Sequence, residues 1–250
     1  MSAYETIDEA IRGLKYGIGP DGRIEGGFSC KEEDGIEFGD PVFGYVGDSV
    51  SAYKFKNDTG KIAFDADFVT SNTIDITVNG VAAAQVTFTT DHDTTAALVV
   101  AAVAALTGVE CVLDAEDTDN RTFLIQVKGE TALVTEAVAG GASQATGTIT
   151  YGSSQVFLGV AMFDQNSEAM YEQYDAVNIM ADGEIWVQPV EAVEALQTVY
   201  VDNASTDIGE FTISANGVEV NAKYRSSAAA DGLARLRVYG QTDMTYAGLF

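Results

Sequence analysis

From Phe157 to Val201 the chain reads FLGVAMFDQNSEAMYEQYDAVNIMADGEIWVQPVEAVEALQTVYV, short apolar stretches parted by tight polar turns. Stretches this short can bury one face as strands but are too brief for core helices, so the run commits the chain to β structure. The pattern extends beyond the run. Val156–Met162, Ala176–Met180, Glu184–Val187, Thr198–Val201, Glu210–Ser214, Val218–Arg225 and Leu233–Val238 read as strands, with Asp182-Gly183 as a hairpin turn. Strands at intervals of roughly ten residues belong to an antiparallel sandwich or barrel. Frequent Gly (25) and scarce Pro (3) suit the many turns of such a fold.

Earlier in the chain, Ile36–Phe38 and Pro41–Tyr45 read as strands around Gly39-Asp40. Tyr53–Lys56 and Lys61–Phe64 read as a hairpin across Asn57-Asp-Thr-Gly60. Tyr4–Tyr16 places Ile7, Ile11 and Leu14 at helical spacing, and reads equally as a short helix or as an arm packing on a neighbour. From Asp67 to Thr150 the composition changes: Thr, Ala and Val dominate, and Lys and Arg nearly vanish. Asp75–Val78 and Ala84–Thr89 flank Asn79-Gly80, a dipeptide that tolerates the positive φ of a type I′ turn. Thr94–Leu106 is the one expected helix, with Asp91 or Asp93 as N-cap. It is apolar nearly all round, as a helix buried across a sheet would be. Glu110–Leu113, Thr122–Lys128, Leu133–Val138 and Gly147–Tyr151 follow as strands. The expected fold is mainly β: an antiparallel β-sandwich or barrel core, residues 1–66 plus 151–250, split by an inserted α+β (ββαβββ) module, residues 67–150.

The net charge of −25 is spread along the chain rather than held in a tail. Acids outnumber bases 13 to 7 in residues 1–66, 11 to 2 in 67–150, and 14 to 4 in 151–250. Such a field repels nucleic acid and favours solubility, so no nucleic-acid partner is expected. No apolar run approaches the ~20 residues that span a bilayer. The opening MSAYETIDEAIRGLKYG lacks the layout of a secretion signal. A soluble protein made in the cytoplasm, with no membrane partner, is the expectation. Cys30 and Cys111 are then expected as buried free thiols, because a cytoplasm keeps thiols reduced.

Catalytic signatures are missing from the sequence: there is no G-x-S-x-G elbow, Walker A loop, G-x-G-x-x-G after a strand, or H-E-x-x-H. Asp114, Glu116, Asp117, Asp119 and Asn120 form the densest acidic cluster, without the turn glycine and distal Glu of a calcium loop. A solvated hairpin tip is expected there. His92 is the single histidine and has no second His or thiolate nearby to share a metal. No enzymatic activity, metal or cofactor is expected.

The last hairpin carries the clearest candidate surface. Lys223 and Arg225 alternate with Ala222 and Tyr224, while Arg235 and Arg237 alternate with Leu236 and Val238. A turn centred on Ala230 sets Arg225 opposite Arg235 and Lys223 opposite Arg237, with four cations on one face and an apolar set on the other. Like charges placed opposite each other destabilise a ladder, so acids must lie against them, from this chain or from a partner. Tyr171 and Tyr174 flank a charged loop and read as exposed contact residues. Trp186, in Glu184-Ile-Trp-Val187, reads as a core aromatic, with an interface anchor as the alternative.

Several phrases carry a resemblance: Phe38-Gly-Asp-Pro-Val42, Phe157-Leu-Gly-Val160, Tyr174-Asp-Ala-Val-Asn178, Gly183-Glu-Ile-Trp-Val187, Val199-Tyr-Val201 and Gly232-Leu-Ala. In this order and spacing the chain resembles the capsid cement, or decoration, proteins of tailed bacteriophages over residues 1–66 and 151–250. The resemblance implies a virion structural protein on the outer capsid surface, one that clamps neighbouring major capsid subunits to stabilise the shell. It also implies a homo-oligomer, trimer or dimer, on that surface. On this reading Lys223, Arg225, Arg235, Arg237, Tyr171 and Tyr174 form the capsid or subunit interface. Residues 67–150 resemble the β-rich inserts of phage virion proteins and would project outward. The alternative is a receptor- or glycan-binding module of a fibre or tail, which would need exposed aromatics among Phe68, Phe88 and Phe123.

Overall fold

The computed structural model describes residues 12–15, 22–165, 169–203 and 208–240. They form two compact units: residues up to Lys56 together with those from Gln155 onward, and Asn57–Ser154. The first unit opens with β1 (Arg23–Cys30), β2 (Ile36–Glu37), β3 (Pro41–Gly44) and β4 (Ser51–Ala52). The second holds β5 (Thr59–Phe64), β6 (Thr73–Val78), β7 (Val81–Ala82), β8 (Val86–Thr87), α1 (His92–Ala104), β9 (Val109–Leu113), β10 (Thr122–Val127), β11 (Val134–Ala139) and β12 (Gly147–Gly152). The chain returns to the first unit for β13 (Val156–Ala161), β14 (Met170–Tyr171), β15 (Ala176–Val187), β16 (Thr198–Val201), β17 (Phe211–Thr212), β18 (Val218–Tyr224) and β19 (Ala234–Val238). With 45% strand against 6% helix, the protein is mainly β.

One long strand organises the first unit. The first half of β15 pairs with β1 on one side and β13 on the other; β13 pairs with β3, and β1 with β4. Phe43 and Tyr53 exchange both backbone hydrogen bonds at 2.9 Å, which joins the β4 run to β3 and nearly closes the sheet into a barrel. Its interior takes one set of alternate residues: Phe28, Cys30, Val42, Ala52, Ala161, Val177 and Ile179, with Ile36, Phe38 and Tyr171 packed on them. The other set, Phe43, Phe157, Val160 and Met180, faces a second layer. That layer starts from the far half of β15, whose residues 183–187 pair with β19, and continues through β18 and β16 to β17. Leu236, Tyr224, Val199 and Val201 are fully buried between the layers. The core is thus barrel and sandwich at once, joined by β15.

Asp182-Gly183 does not turn a hairpin, because it lies inside β15. Gly183 has φ 143° where the strand changes partners, and a Cβ there would come within 2.5 Å of Met180 Sδ. The glycine signal was real, but it marks a distortion within a continuous strand. The expected hairpin across Asn57–Gly60 is also absent. β5 pairs with β10 and β12, not with the chain before it. Asp58 is fully buried and accepts from the amide and the hydroxyl of Ser154, each at 2.7 Å, which ties the start of the second unit to its end.

In the second unit, β12-β5-β10-β9 form one sheet and β11, β6, β7 and β8 another. Phe64, Phe68 and Phe123 stack edge-on or tilted between them, with ring centroids 5.0 to 6.3 Å apart. Asn79 (φ 49°) and Gly80 (φ 78°) turn β6 into β7 as a type I′ pair. Asp91 caps α1, its Oδ1 accepting from the Thr94 amide at 2.8 Å. The helix is not buried all round. Thr95, Ala96, Val99 and Val103 face the core, and Ala97, Leu98, Ala101 and Ala104 face solvent, since alanines need no cover.

Of the expected N-terminal helix, residues 12–15 form a turn and a β-bridge; the rest lies outside the described residues. Gly13 N–H donates to Trp186 O at 2.7 Å, Trp186 N–H to Leu14 O at 3.0 Å, and Lys15 bridges to Ile185. Arg12 meets Asp40, Glu37 Oε2 at 2.7 Å and Glu210 Oε2 at 3.4 Å. Burial outweighs the Arg12 guanidinium at Asp40 and pushes its carboxyl up to about 7.

Candidate functional site

The final hairpin adopts the register that its alternation dictates. Lys223 pairs with Arg237, Ala222 with Val238 and Tyr224 with Leu236, and Arg225 N–H donates to Arg235 O at 2.7 Å. Ala222, Tyr224, Leu236 and Val238 are buried; Lys223 and Arg225 are exposed, and Arg235 and Arg237 half-buried, on the opposite face. These four are the only Lys or Arg residues in 151–250.

Part of their counter-charge comes from β15, two strands away from Lys223. Asp182 and Glu184 alternate on the same face. Asp182 Oδ1 takes Arg237 Nη2 at 2.8 Å, a charge-assisted hydrogen bond. Glu184 is shared, 3.7 Å from Arg225 Nε and 3.9 Å from Arg235 Nη1, too far for a hydrogen bond to either. Lys223 Nζ bonds the Thr198 hydroxyl at 3.3 Å, and no carboxylate pairs with it among the described residues. Glu219 stands on the same side farther along β18. Four cations thus share this face with Asp182, Glu184 and Glu219 among the described residues, in a chain whose overall charge is −25. An open groove of about 370 Å³ runs beside it, lined by Thr198, Glu219, Asn221, Lys223 and Tyr239.

Trp186 lies opposite Arg235 on this outer face and is half-buried. The core reading fails because the pleat sends Ile185 and Val187 inward, so the residue between them points out.

A family model described as "Structural cement protein (E217 gp24/Pam3 gp6)" matches residues 111–239, just over half of the chain and the whole of this hairpin. The chain belongs to the phage structural cement protein family. It is a virion structural protein located in the capsid. No curated protein matches the chain. The match begins at Cys111, within β9, so the family pattern reaches into the segment where the resemblance in sequence had lapsed.

Of the two tyrosines read as contacts, this cement protein exposes one. Tyr171 is 1% exposed, a correction to its surface reading. Its short strand β14 pairs with β2, which carries the ring onto Phe38, 5.3 Å away and perpendicular. Its hydroxyl donates to Met162 O at 2.8 Å, and burial raises its pKa. Tyr174 is 71% exposed, in left-handed backbone at φ 73°, with Lys31 Nζ 5.7 Å from its ring centre.

The acidic cluster has a different use for its charges. Asp114 takes Lys61 Nζ at 2.7 Å and the Glu116 amide at 3.1 Å. Asp117 takes the amides of Asp119 and Arg121, each at 3.0 Å, and Asp67 takes Arg121 Nε at 2.7 Å. Lys61 holds Asp114 below the usual carboxylate range, Arg121 does the same for Asp67, and the Thr122 side chain leads the groups that do so for Asp117. His92 Nδ1 accepts from Phe68 N–H at 2.9 Å, which leaves Nε2 to donate to Asn120 O at 3.1 Å. The imidazole pins α1 to two loops. Phe68 and Phe123 are buried and Phe88 half-buried, so none offers the open ring face that a glycan-binding module would use.

Both cysteines are free and buried, and burial pushes the Cys111 thiol up to about 12. Among the described residues no helix is long and apolar enough to cross a membrane.

Two features of the site escaped the sequence reading. The β15 carboxylates needed the pairing of residue 184 with residue 237, which nothing local announces; their i, i+2 spacing beside Trp186 was the available signal. The second is Leu196, at φ 75° and 65% exposed in the turn before β16, its N–H bonded to Tyr224 O at the end of β18.

Proposed function

We propose that the protein seats its cationic hairpin face on the outside of the assembled capsid and clamps neighbouring major capsid subunits, working as a homo-oligomer, a trimer or a dimer. The observation that carries this reading is the gathering of Lys223, Arg225, Arg235 and Arg237 on one sheet face of an otherwise acidic chain. A cationic patch on such a chain orients its landing on an acidic partner. A net charge of −25 is repelled by packaged DNA, which favours the outer over the inner surface. Exposed Tyr174 adds a second contact point. The first unit would form the docking core, and the second unit, which takes in residues 67–150, would project outward. A contact of roughly 1,600 Å² per site, repeated over a shell, would resist internal pressure collectively.

Empty shells of the phage, purified without this protein, are expected to bind it stoichiometrically and to melt at a higher temperature once decorated. Lys223→Gln with Arg225→Gln should lower occupancy by about tenfold and leave the melting of the free protein unchanged. Neutral replacements are the right probe, because charge reversal at Arg225 would set another carboxylate beside Glu184. Equal heat stability of bare and decorated shells would sink the proposal. Full occupancy by the double variant would remove the cationic face from it.

A further inference from the structure

Six non-glycine residues among those described adopt positive φ. Asn79, Asn120 and Asp231 are types that visit the left-handed region readily, and Ser71 is small and polar. Tyr174 and Leu196 are the two bulky ones, and Leu196 has no polar atom to bond its own backbone in compensation. Strain of this kind persists only where surrounding bonds over-determine it, and it gathers at functional positions.

The bonds around Leu196 are explicit. Its N–H donates to Tyr224 O at 2.8 Å, and Tyr224 N–H donates to Gln197 O at 3.2 Å. Glu194 N–H donates to Gln197 Oε1 at 2.7 Å, which closes the turn from the other side. Thr198, two residues on, pairs with Lys223. The turn is therefore fastened to the end of β18 where Arg225 stands. Val193 and Val199 on either side are buried, yet Leu196 between them is 65% exposed. An asparagine or glycine would hold the same turn with less strain and no apolar surface in water.

We infer that Leu196 is the apolar anchor of the cationic face, entering a hollow on the major capsid protein that is apolar at its centre and rimmed with carboxylates. The inference rests on the capsid-docking reading and names the chemistry of its partner. The arrangement is that of a binding hot spot, an apolar side chain on a rigid turn beside charges that meet the partner's rim. The cations Lys223 and Arg225 at the same end of β18 select an acidic rim.

Leu196→Asn and Leu196→Ala test it on empty shells, with the wild type in parallel. Asparagine suits the left-handed turn, so Leu196→Asn should melt at the wild-type temperature or above it and bind shells roughly tenfold more weakly. Alanine keeps the strain and loses the apolar body, so Leu196→Ala should also bind roughly tenfold more weakly, with no gain in melting temperature. Wild-type binding matched in full by either variant overturns the anchor alone. A wild type that does not bind shells overturns the docking reading and the anchor with it.

Discussion

Two charged regions of this cement protein use their charges in opposite ways. At the acidic corner of the second unit, Asp114, Asp117 and Asp67 are consumed locally by backbone amides, Lys61 and Arg121. On the outer face of the last hairpin, Glu184 is shared by Arg225 and Arg235 and reaches neither within hydrogen-bond distance. A turn can satisfy charge through its own amides, because short polar side chains bond the backbone a residue or two away. A flat ladder cannot, because its amides are already paired with the neighbouring strand. Surplus charge on a sheet face is therefore available to a partner, and clustered charge at a turn is mostly architecture.

The largest effect that would break this contrast is at the corner. Asp117→Ala removes the acceptor for two amides and is expected to cost about 2 kcal/mol, read by urea unfolding, with shell binding untouched. A stable variant that binds shells poorly would reverse the assignment of the two regions.

The pH responses should also differ in sign. Asp67, Asp114 and Asp117 have carboxyls held below their usual range in the fold, so their contribution is present above the unfolded value of about 3.9 and is lost as pH falls through the folded values. Asp40 is raised to about 7, so between roughly pH 4 and 7 the folded state holds a proton that the unfolded chain has released. Its contribution is greatest below pH 4 and declines as pH rises to 7. Amide exchange resolved by segment should show the second unit loosening in acid and the neighbourhood of Asp40 tightening from pH 7 to 5. Asp40→Asn should flatten the second trend, and a trend that survives the variant assigns it to another group.

Beneath the cationic face, the Tyr224 hydroxyl is buried with no hydrogen-bond partner among the described residues, and burial raises its pKa. Tyr224→Phe should stabilise the protein by about 1 kcal/mol in chemical unfolding and leave docking unchanged. A loss of stability would mean that a water or partner group satisfies the hydroxyl. The smallest effect is expected from Glu184→Gln, which frees Arg225 and Arg235. Shell affinity should rise about twofold, and a stability cost below about 0.5 kcal/mol is expected for so loose a pair. A fall in affinity would show that Glu184 positions the arginines for docking.

How much of this was legible varied with the range of the interaction involved. The hairpin register followed from alternation about Ala230, and the Asp91 cap and the Asn79-Gly80 turn from residues adjacent in sequence. Asp182-Gly183 was misread because the same dipeptide serves a turn or a distorted strand, and only the pairing of β15 on both sides of it decides. Tyr171 was misread for a related reason. A strand of two residues leaves no periodicity to read, and its burial comes from β2, far back in the chain.

By itself, then, the sequence determined the mainly β class, the Asn79-Gly80 turn and the two faces of the last hairpin. Side-chain alternation is local and costs nothing to read. The tertiary structure alone decided that β15 would serve both layers, which acids would meet the four cations, and that Leu196 would be held in the open. Those outcomes depend on which distant strands share hydrogen bonds, and strand pairing across long loops leaves almost no mark on the residues between.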